Sequence, residues 1–219
     1  MGNMLITNFE DGSSSSWDRL ILAIPFSCLR KVKLDLELSE AKKNCINQLQ
    51  YGNNCKLILS TKSRPSREAK SSGYLINDLV QNGWDSSQLQ CQNKGAGAYT
   101  VFLGGQHAET LNRGGIREIQ KFKEKAMKVI ESVYPEGIGQ VGGSHRFVPW
   151  VNNPWAGGSY STYQLGQWTS IGGLEGKMEG NIHFAGDHTS ENFQGYMNGA
   201  VESGTRAARE VLGAIKQHS

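Results

Sequence analysis

The sequence lacks any apolar run near the ~20 residues that a membrane-spanning helix needs. Its first residues show no charged-then-apolar leader, and after Gly2 the residue at position 6 is Ile where myristoylation needs Ser or Thr. These absences give no reason to place the chain in or on a membrane, and the expectation is a cytoplasmic protein. Cysteine is scarce, with four residues at 28, 45, 55 and 91. None forms a C-x-x-C pair and no His stands at zinc-like spacing, so the four are read as reduced thiols. His183 and His188 are close in sequence but lack the one-turn helical pairing and carboxylate companion of a metal site. Charge of one sign is also missing as a block: 23 Lys and Arg are interleaved with 20 Asp and Glu for a net +3, which leaves no nucleic-acid footprint.

The 219 residues do supply enough chain for one large domain or two small ones with a real core. After the turn-rich loop "EDGSSSS", the stretch "DRLILAIP" reads as a buried strand stopped by Pro25. Ser39 is placed to cap a short helix with Cys45, Ile46 and Leu49 on its inner face. "CKLILST" and "AYTVFLGG" read as strands, separated by a polar loop containing Asn77, Asp78, Asn82 and Asp85. A helix follows with Ile116, Ile119, Phe122, Ala126, Val129, Ile130 and Val133 on one stripe; Pro135 closes it, and its Lys-rich opposite face is read as solvated.

Beyond residue 136 the composition turns to Gly, Trp, Tyr, Asn and Pro, with too little periodicity for scaffold and three of the five tryptophans (Trp150, Trp155, Trp168). Such a segment is either a packed aromatic loop or the wall of a pocket. "NIHFAG" then reads as a strand ending in Gly, and a helix runs from Gly195 onward with Val201, Gly204, Ala208, Val211, Leu212 and Ile215 as its inner stripe. On an adjacent stripe Gly195, Gly199, Ser203 and Ala207 recur every four residues, which admits a close backbone or a flat ligand. Interior helical glycines each cost roughly 1 kcal/mol against Ala, so something must compensate. The free N–H groups at Gly195 to Asn198 suit an anionic group.

"HFAGDHTSENFQGYMNGAVESGTRAARE" resembles the C-terminal signature of the flavin-containing amine oxidases, the monoamine, polyamine and L-amino-acid oxidases. "DRLILAIPFSCLR", "YGNNCKLILS" and "PWAGGSYSTY" resemble that family's successive landmarks in the same order. The resemblance implies a mixed α/β (α+β) fold: a partial, Rossmann-like FAD-binding domain from residues 1–46 and 149–219, and a sheet-and-helix substrate domain from 47–148. It also implies roles. Lys56 matches a lysine that holds a water near the flavin N5, where a bare strand pattern would read as an edge-strand gatekeeper. Tyr160 and Tyr196 match an aromatic pair that sandwiches the amine before the flavin. Gly186, Asp187, Gly195, Tyr196 and Met197 match positions along the cofactor, with Met197 N–H near the flavin O2. Trp150, Tyr160 and Tyr196 are the pocket candidates.

Departures from the family pattern sharpen these expectations. Ser159 stands where some relatives carry a Cys joined to FAD, so non-covalent FAD is expected; Ser66 replaces an aromatic that packs near the ring system. The family's opening strand, G-x-G-x-x-G and helix, which dock the ADP half of FAD, are not found; "KGAGAYTVF" leads into a strand instead. Two readings follow. In one, the chain is the C-terminal half of an oxidase that turns an amine into an imine while oxygen becomes hydrogen peroxide, working with a separate N-terminal-half partner chain or as a homo-oligomer. In the other, it is a truncated, non-catalytic remnant serving as an interaction or structural module.

Overall fold

The computed structural model describes residues 4–89, 95–135 and 141–216. Its chain contacts divide into two compact units, Met1–Tyr51 with Tyr160–Ser219, and Gly52–Ser159. The mixed α/β character expected from sequence is present in both. No helix among the described residues is long and apolar enough to cross a membrane.

In the unit Gly52–Ser159, strict alternation builds the sheet. Eleven strands are numbered among the described residues; five of them, β6 (Leu75–Asn77), β7 (Gln81–Asp85), β8 (Gly97–Leu103), β5 (Cys55–Thr61) and β9 (Val141–Pro149), lie in that order, every neighbouring pair antiparallel. Cys55, Leu57 and Leu59 on β5, with Tyr99, Val101 and Leu103 on β8, point to one face and are essentially buried. Ala108, Leu111, Ala126 and Ile130 of helix α4 (Gly105–Val133) close that core. Each large side chain so buried contributes about 1.5–3 kcal/mol. The opposite face carries Lys56, Ile58, Phe102, Trp84, Val148 and Arg146, as direct and shared cross-strand register requires.

Three sequence expectations are corrected in this unit. The polar loop around Asn77 to Asp85 is the β6–β7 hairpin: Asn77 Oδ1 accepts the Leu79 N–H at 2.8 Å to make its turn, and Gly83 and Asp85 are the buried positions of β7. Residues 141–149 form β9, because register with β5 outweighs the weak periodicity of a Gly-rich segment. The helix begins eleven residues before Ile116 and is broken at Gly115 (φ 66°, ψ −168°), which resets its phase; Ile116 is 87% exposed and Val133 44%. Its Lys-rich face has one exception, since Lys123 is buried and donates to Gly143 O at 3.2 Å.

In the other unit β3 (Leu20–Leu22) pairs in parallel with β11 (Ile182–Phe184). β1 (Leu5–Asn8) and β2 (Ser14–Trp17) form a hairpin that takes up most of the expected Ser-rich loop. β4 (Gln50–Tyr51) pairs with β10 (Ser161–Thr162). Helix α2 (Glu40–Gln48) starts as expected at Ser39, whose side chain accepts from Lys42 N at 3.2 Å, and Cys45, Ile46 and Leu49 are buried. Arg30 donates to Ile46 O at 2.7 Å and to Leu49 O, satisfying carbonyls at the end of α2. The core joins these to Phe26 and Leu29 of α1 (Phe26–Leu29) and to Ile182 and Phe184. β3 is not buried as expected: Ile21 is 41% exposed.

Helix α6 (Met197–Lys216) reverses the expected polarity of its two stripes. Gly199, Ser203 and Ala207 are the buried residues, against the end of β11 and the turn after it. Val201, Leu212 and Ile215 are 71%, 58% and 51% exposed. Small side chains win the inner position because the Ser190–Phe193 segment runs so close to the helix backbone at Gly199 that nothing larger fits. Cys28, Cys45 and Cys55 form no disulfide among the described residues, and burial pushes the thiols of Cys45 and Cys55 up to about 12; Cys91 lies outside the described residues.

Candidate functional site

The end of β11 delivers the chain into a sequence of positions that only glycine can hold. Gly186 has φ +121°, and a Cβ there would sit 2.7 Å from the His188 ring. Its N–H donates to Ser203 Oγ at 3.0 Å, and that hydroxyl donates back to Gly186 O at 2.9 Å, tying the strand end to α6. Asp187 opens the following 3-10 turn. It is half-buried, and loss of hydration holds its carboxyl above the usual range. His188 is buried with both ring nitrogens lacking a partner, and burial first, then the Lys42 charge, pushes it down to about 4.

The loop then returns to the head of α6. Ser190 Oγ donates to Glu202 and accepts from Phe193 N at 2.9 Å; Phe193 O accepts from Tyr196 N at 3.0 Å. Gly195 takes φ +84°, which is not helical, so the expected helix start moves two residues on, to Met197. A Cβ on Gly195 would touch the Tyr160 side chain at 3.6 Å, which brings Tyr160 beside the Gly195–Tyr196–Met197 turn. Tyr160, Tyr196 and Met197 are 39%, 71% and 88% exposed, and the two tyrosine rings do not touch each other. The N–H groups of Met197 and Asn198 have no acceptor among the described residues, at the positive end of a 20-residue helix.

Below this surface lies a network that sequence reading missed. Arg206 donates to Gly176 O, Phe184 O, Thr189 Oγ1 and Glu210 Oε1 at 2.7 to 3.2 Å. Lys42 is buried over the Phe184 ring at 3.9 Å and donates to Leu174 O and Glu175 O; burial lowers it to about 8. His183 Nδ1 donates to Glu210 Oε2 at 2.9 Å. Spacing on one helix pairs Arg206 with Glu210, but the carbonyl partners are set only by the fold.

The other candidates lie in the unit Gly52–Ser159. Lys56 stands on β5 directly opposite Phe102 and Val148, its Nζ 5.6 Å from the Phe102 ring and 5.9 Å from Trp84. β5 is interior to the sheet, which removes the gatekeeper reading. Lys56 makes no ion pair among the described residues, and its companions are aromatic: Trp84 also stacks on Tyr74 at 6.4 Å. Trp84 and Phe102 were not singled out from sequence, since only cross-strand register brings them to Lys56. Trp150 is half-buried in a 3-10 turn after β9, while Trp155 is 84% exposed. Ser66 is buried and donates to Asp85 Oδ2 at 2.7 Å, and Ser159 donates to Asn54 Oδ1 at 2.7 Å. The literal spacing G-x-G-x-x-G does occur, at Gly137, Gly139 and Gly142. It leads into β9 and opens no helix, so it is not a dinucleotide fingerprint.

Comparison with known proteins gives one consistent answer. The family model described as "Flavin containing amine oxidoreductase" matches residues 2–212. YobN of Bacillus subtilis, named among the L-amino-acid oxidases, is 29% identical over 204 residues, covering 91% of this chain and 42% of that protein. Flavin-containing amine oxidase A of Sus scrofa is 28% identical over 201 residues, 90% of this chain and 37% of the relative. Cyclohexylamine oxidase from Brevibacterium oxydans shares the fold with a TM-score of 0.83 at 18% identity, over 95% of this chain and 45% of that one. The chain thus spans less than half the length of these relatives, and its matched sequence places it in the flavin-containing amine oxidoreductase family.

Proposed function

We propose that this chain is the substrate- and flavin-facing half of an FAD-dependent amine oxidase, converting an amine to an imine with oxygen reduced to hydrogen peroxide. The observation that carries this reading is the head of α6. There Gly195 holds a left-handed turn against Tyr160, and two unpartnered N–H groups follow on Met197 and Asn198. That arrangement fits the redox-active end of a flavin: Gly186 and Gly195 keep side chains away, and the helix terminus favours negative charge that gathers on the ring. The adenosine end has no matching fingerprint among these residues.

In this reading Gly186, Asp187, Gly195, Tyr196 and Met197 hold a non-covalent FAD, because Ser159 offers no thiol for a covalent link. Bound flavin supplies the two-electron acceptor that no side chain provides. Tyr160 and Tyr196 face the amine with exposed rings, orient it, and exclude water as it docks. Lys56, beside the Trp84 and Phe102 rings and without an ion pair among the described residues, positions a water by donating to it, and Trp150 is the further pocket candidate. The non-catalytic remnant is favoured by one fact alone, the coverage of less than half of each relative.

Gel filtration of the purified chain after incubation with FAD separates the two readings, run alone and with a complementary half bearing the dinucleotide fingerprint. A retained flavin band that bleaches on adding an amine without oxygen supports the oxidase. No retained flavin in either sample leaves the remnant.

A further inference from the structure

A cleft of about 730 Å³ lies within the unit that contains Tyr160–Ser219, and Tyr163, Trp168, Glu175 and Gln194 are on its walls. Glu175 is only 3% exposed, a level at which a carboxylate is ordinarily paired with a cation. Among the described residues it has no ion pair. Its Oε1 accepts from the Tyr163 hydroxyl, while Oε2 takes no hydrogen bond among the described residues and is not closed off from solvent, so the free oxygen faces the cleft. The nearest cations are committed elsewhere. Lys42 donates to the backbone oxygens of Leu174 and Glu175 and acts on the carboxylate only through space. Arg206 directs its guanidinium to Gly176 O, Phe184 O, Thr189 Oγ1 and Glu210 Oε1.

The surroundings suit an organic cation. Trp168, on the short helix Gln167–Ser170, meets Tyr163 edge to face with ring centroids 5.0 Å apart, and it is 68% exposed, so much of its indole is open to a ligand. Tyr163 is held from two sides, because its oxygen also accepts from Gln194 Nε2 at 3.1 Å, and Gln194 donates in turn to His188 O at 3.0 Å. Carboxylate and ring are thus fixed before anything binds. Of the other charged residues on the cleft, Glu210 is paired with Arg206 at 2.8 Å, which leaves Glu175 and Glu191 against Lys177. An anion would meet the unpaired carboxylate. A metal ion would lack ligands, since no group of three His, Cys, Asp or Glu able to hold one occurs among the described residues.

We infer that this cleft binds a small alkylammonium ion, with its charged head on Glu175 Oε2 and its alkyl part against the Trp168 and Tyr163 rings. The ammonium brings the N–H donor that the free oxygen lacks, in a charge-assisted bond shielded from water, and the electron-rich rings attract the same charge. The residues are separate from Tyr160, Tyr196 and Lys56, and the inference does not depend on the oxidase reading.

The full chain, labelled with a nitrogen isotope, is titrated with n-butylammonium chloride at constant ionic strength. The indole N–H signal of Trp168, identified by its loss in Trp168→Phe, is followed by nuclear magnetic resonance. The expected result is a saturable shift that uncharged n-butanol at the same concentrations does not produce, a comparison that needs no variant. Glu175→Gln keeps an acceptor for Tyr163 and removes the charge; it weakens binding tenfold or more, with its fold verified by circular dichroism. Tyr160→Ala and Tyr196→Ala leave the affinity unchanged. No saturable shift, an equal response to n-butanol, or an affinity indifferent to Glu175→Gln overturns the inference. Affinity lost with the tyrosine substitutions but kept in Glu175→Gln puts the amine at the face assigned to catalysis and overturns it as well. A chain that retains no flavin leaves this site standing, and a chain that retains flavin without binding the ammonium here does the reverse.

Discussion

Substituting Ala for Gly at two positions of α6 should move stability in opposite directions. In a helix alone the change favours folding by roughly 1 kcal/mol. At Gly204 a Cβ meets nothing within 4 Å, so that gain stands. At Gly199 it would lie 2.2 Å from Phe193 O, 2.8 Å from Phe193 C and 2.9 Å from Ser190 Cβ. The obstructing atoms are mostly backbone, and their loop is pinned by Ser190 to Glu202 and by Phe193 to Ser190 and Tyr196. Relief needs the helix to move about 1 Å from the turn it packs on, an overpacking cost of about 3 kcal/mol at the upper end of the usual range. The net effect of Gly199→Ala is then a loss of about 2 kcal/mol, against a gain of up to about 1 for Gly204→Ala. Both residues belong to one unit, so urea unfolding followed by circular dichroism compares them directly. A Gly199→Ala chain as stable as Gly204→Ala would show that the turn yields, and the account of why small residues face inward would fall.

Three further outcomes follow from the same unit. His188 is held near 4 when folded and near 6.5 when unfolded, so the unfolded chain takes up a proton first; stability falls as pH drops from about 6.5 to about 4, by up to roughly 3 kcal/mol, and is level below. His188→Phe should flatten that stretch of a stability-against-pH curve, since neither ring nitrogen has a partner to lose, and an unchanged slope refutes the assignment. Arg206→Lys should cost about 2–4 kcal/mol in a denaturant titration, because one ammonium cannot serve four acceptors of such different directions. Ser39→Ala should cost about 1 kcal/mol by removing the cap of α2, and a larger loss would mean that its 2.7 Å bond to Glu179 carries more than the cap.

Local signals were legible where a few neighbouring residues suffice. The Ser39 cap, the strands at Cys55–Thr61 and Gly97–Leu103, the strand before Gly186 and the helix after it all follow from spacing and residue type. The strand at Val141–Pro149 was not legible, because its alternation is diluted by glycine and its identity comes from pairing with β5. The kink at Gly115 was likewise passed over in a continuous apolar pattern. At the candidate site, Gly186, Asp187, Gly195, Tyr196 and Met197 were picked out by the family resemblance, while the groups that brace them were not. Arg206, Lys42 and His188 look like surface charge in sequence; the fold buries Lys42 and His188 and half-buries Arg206, whose bonds and those of Lys42 reach residues 17 to 133 positions away.

The sequence by itself determined the kinds of element, the family, and which positions demand glycine, because each rests on local dihedral preference or on a contiguous motif. The tertiary structure alone decided orientation. It chose which stripe of α6 faces inward, and surrounded Lys56 with aromatic rings instead of leaving it at an edge. A hydrophobic period states that a face will be covered without saying by what. Here the close approach of Ser190 and Phe193 takes the small-residue face, and the larger apolar face is exposed.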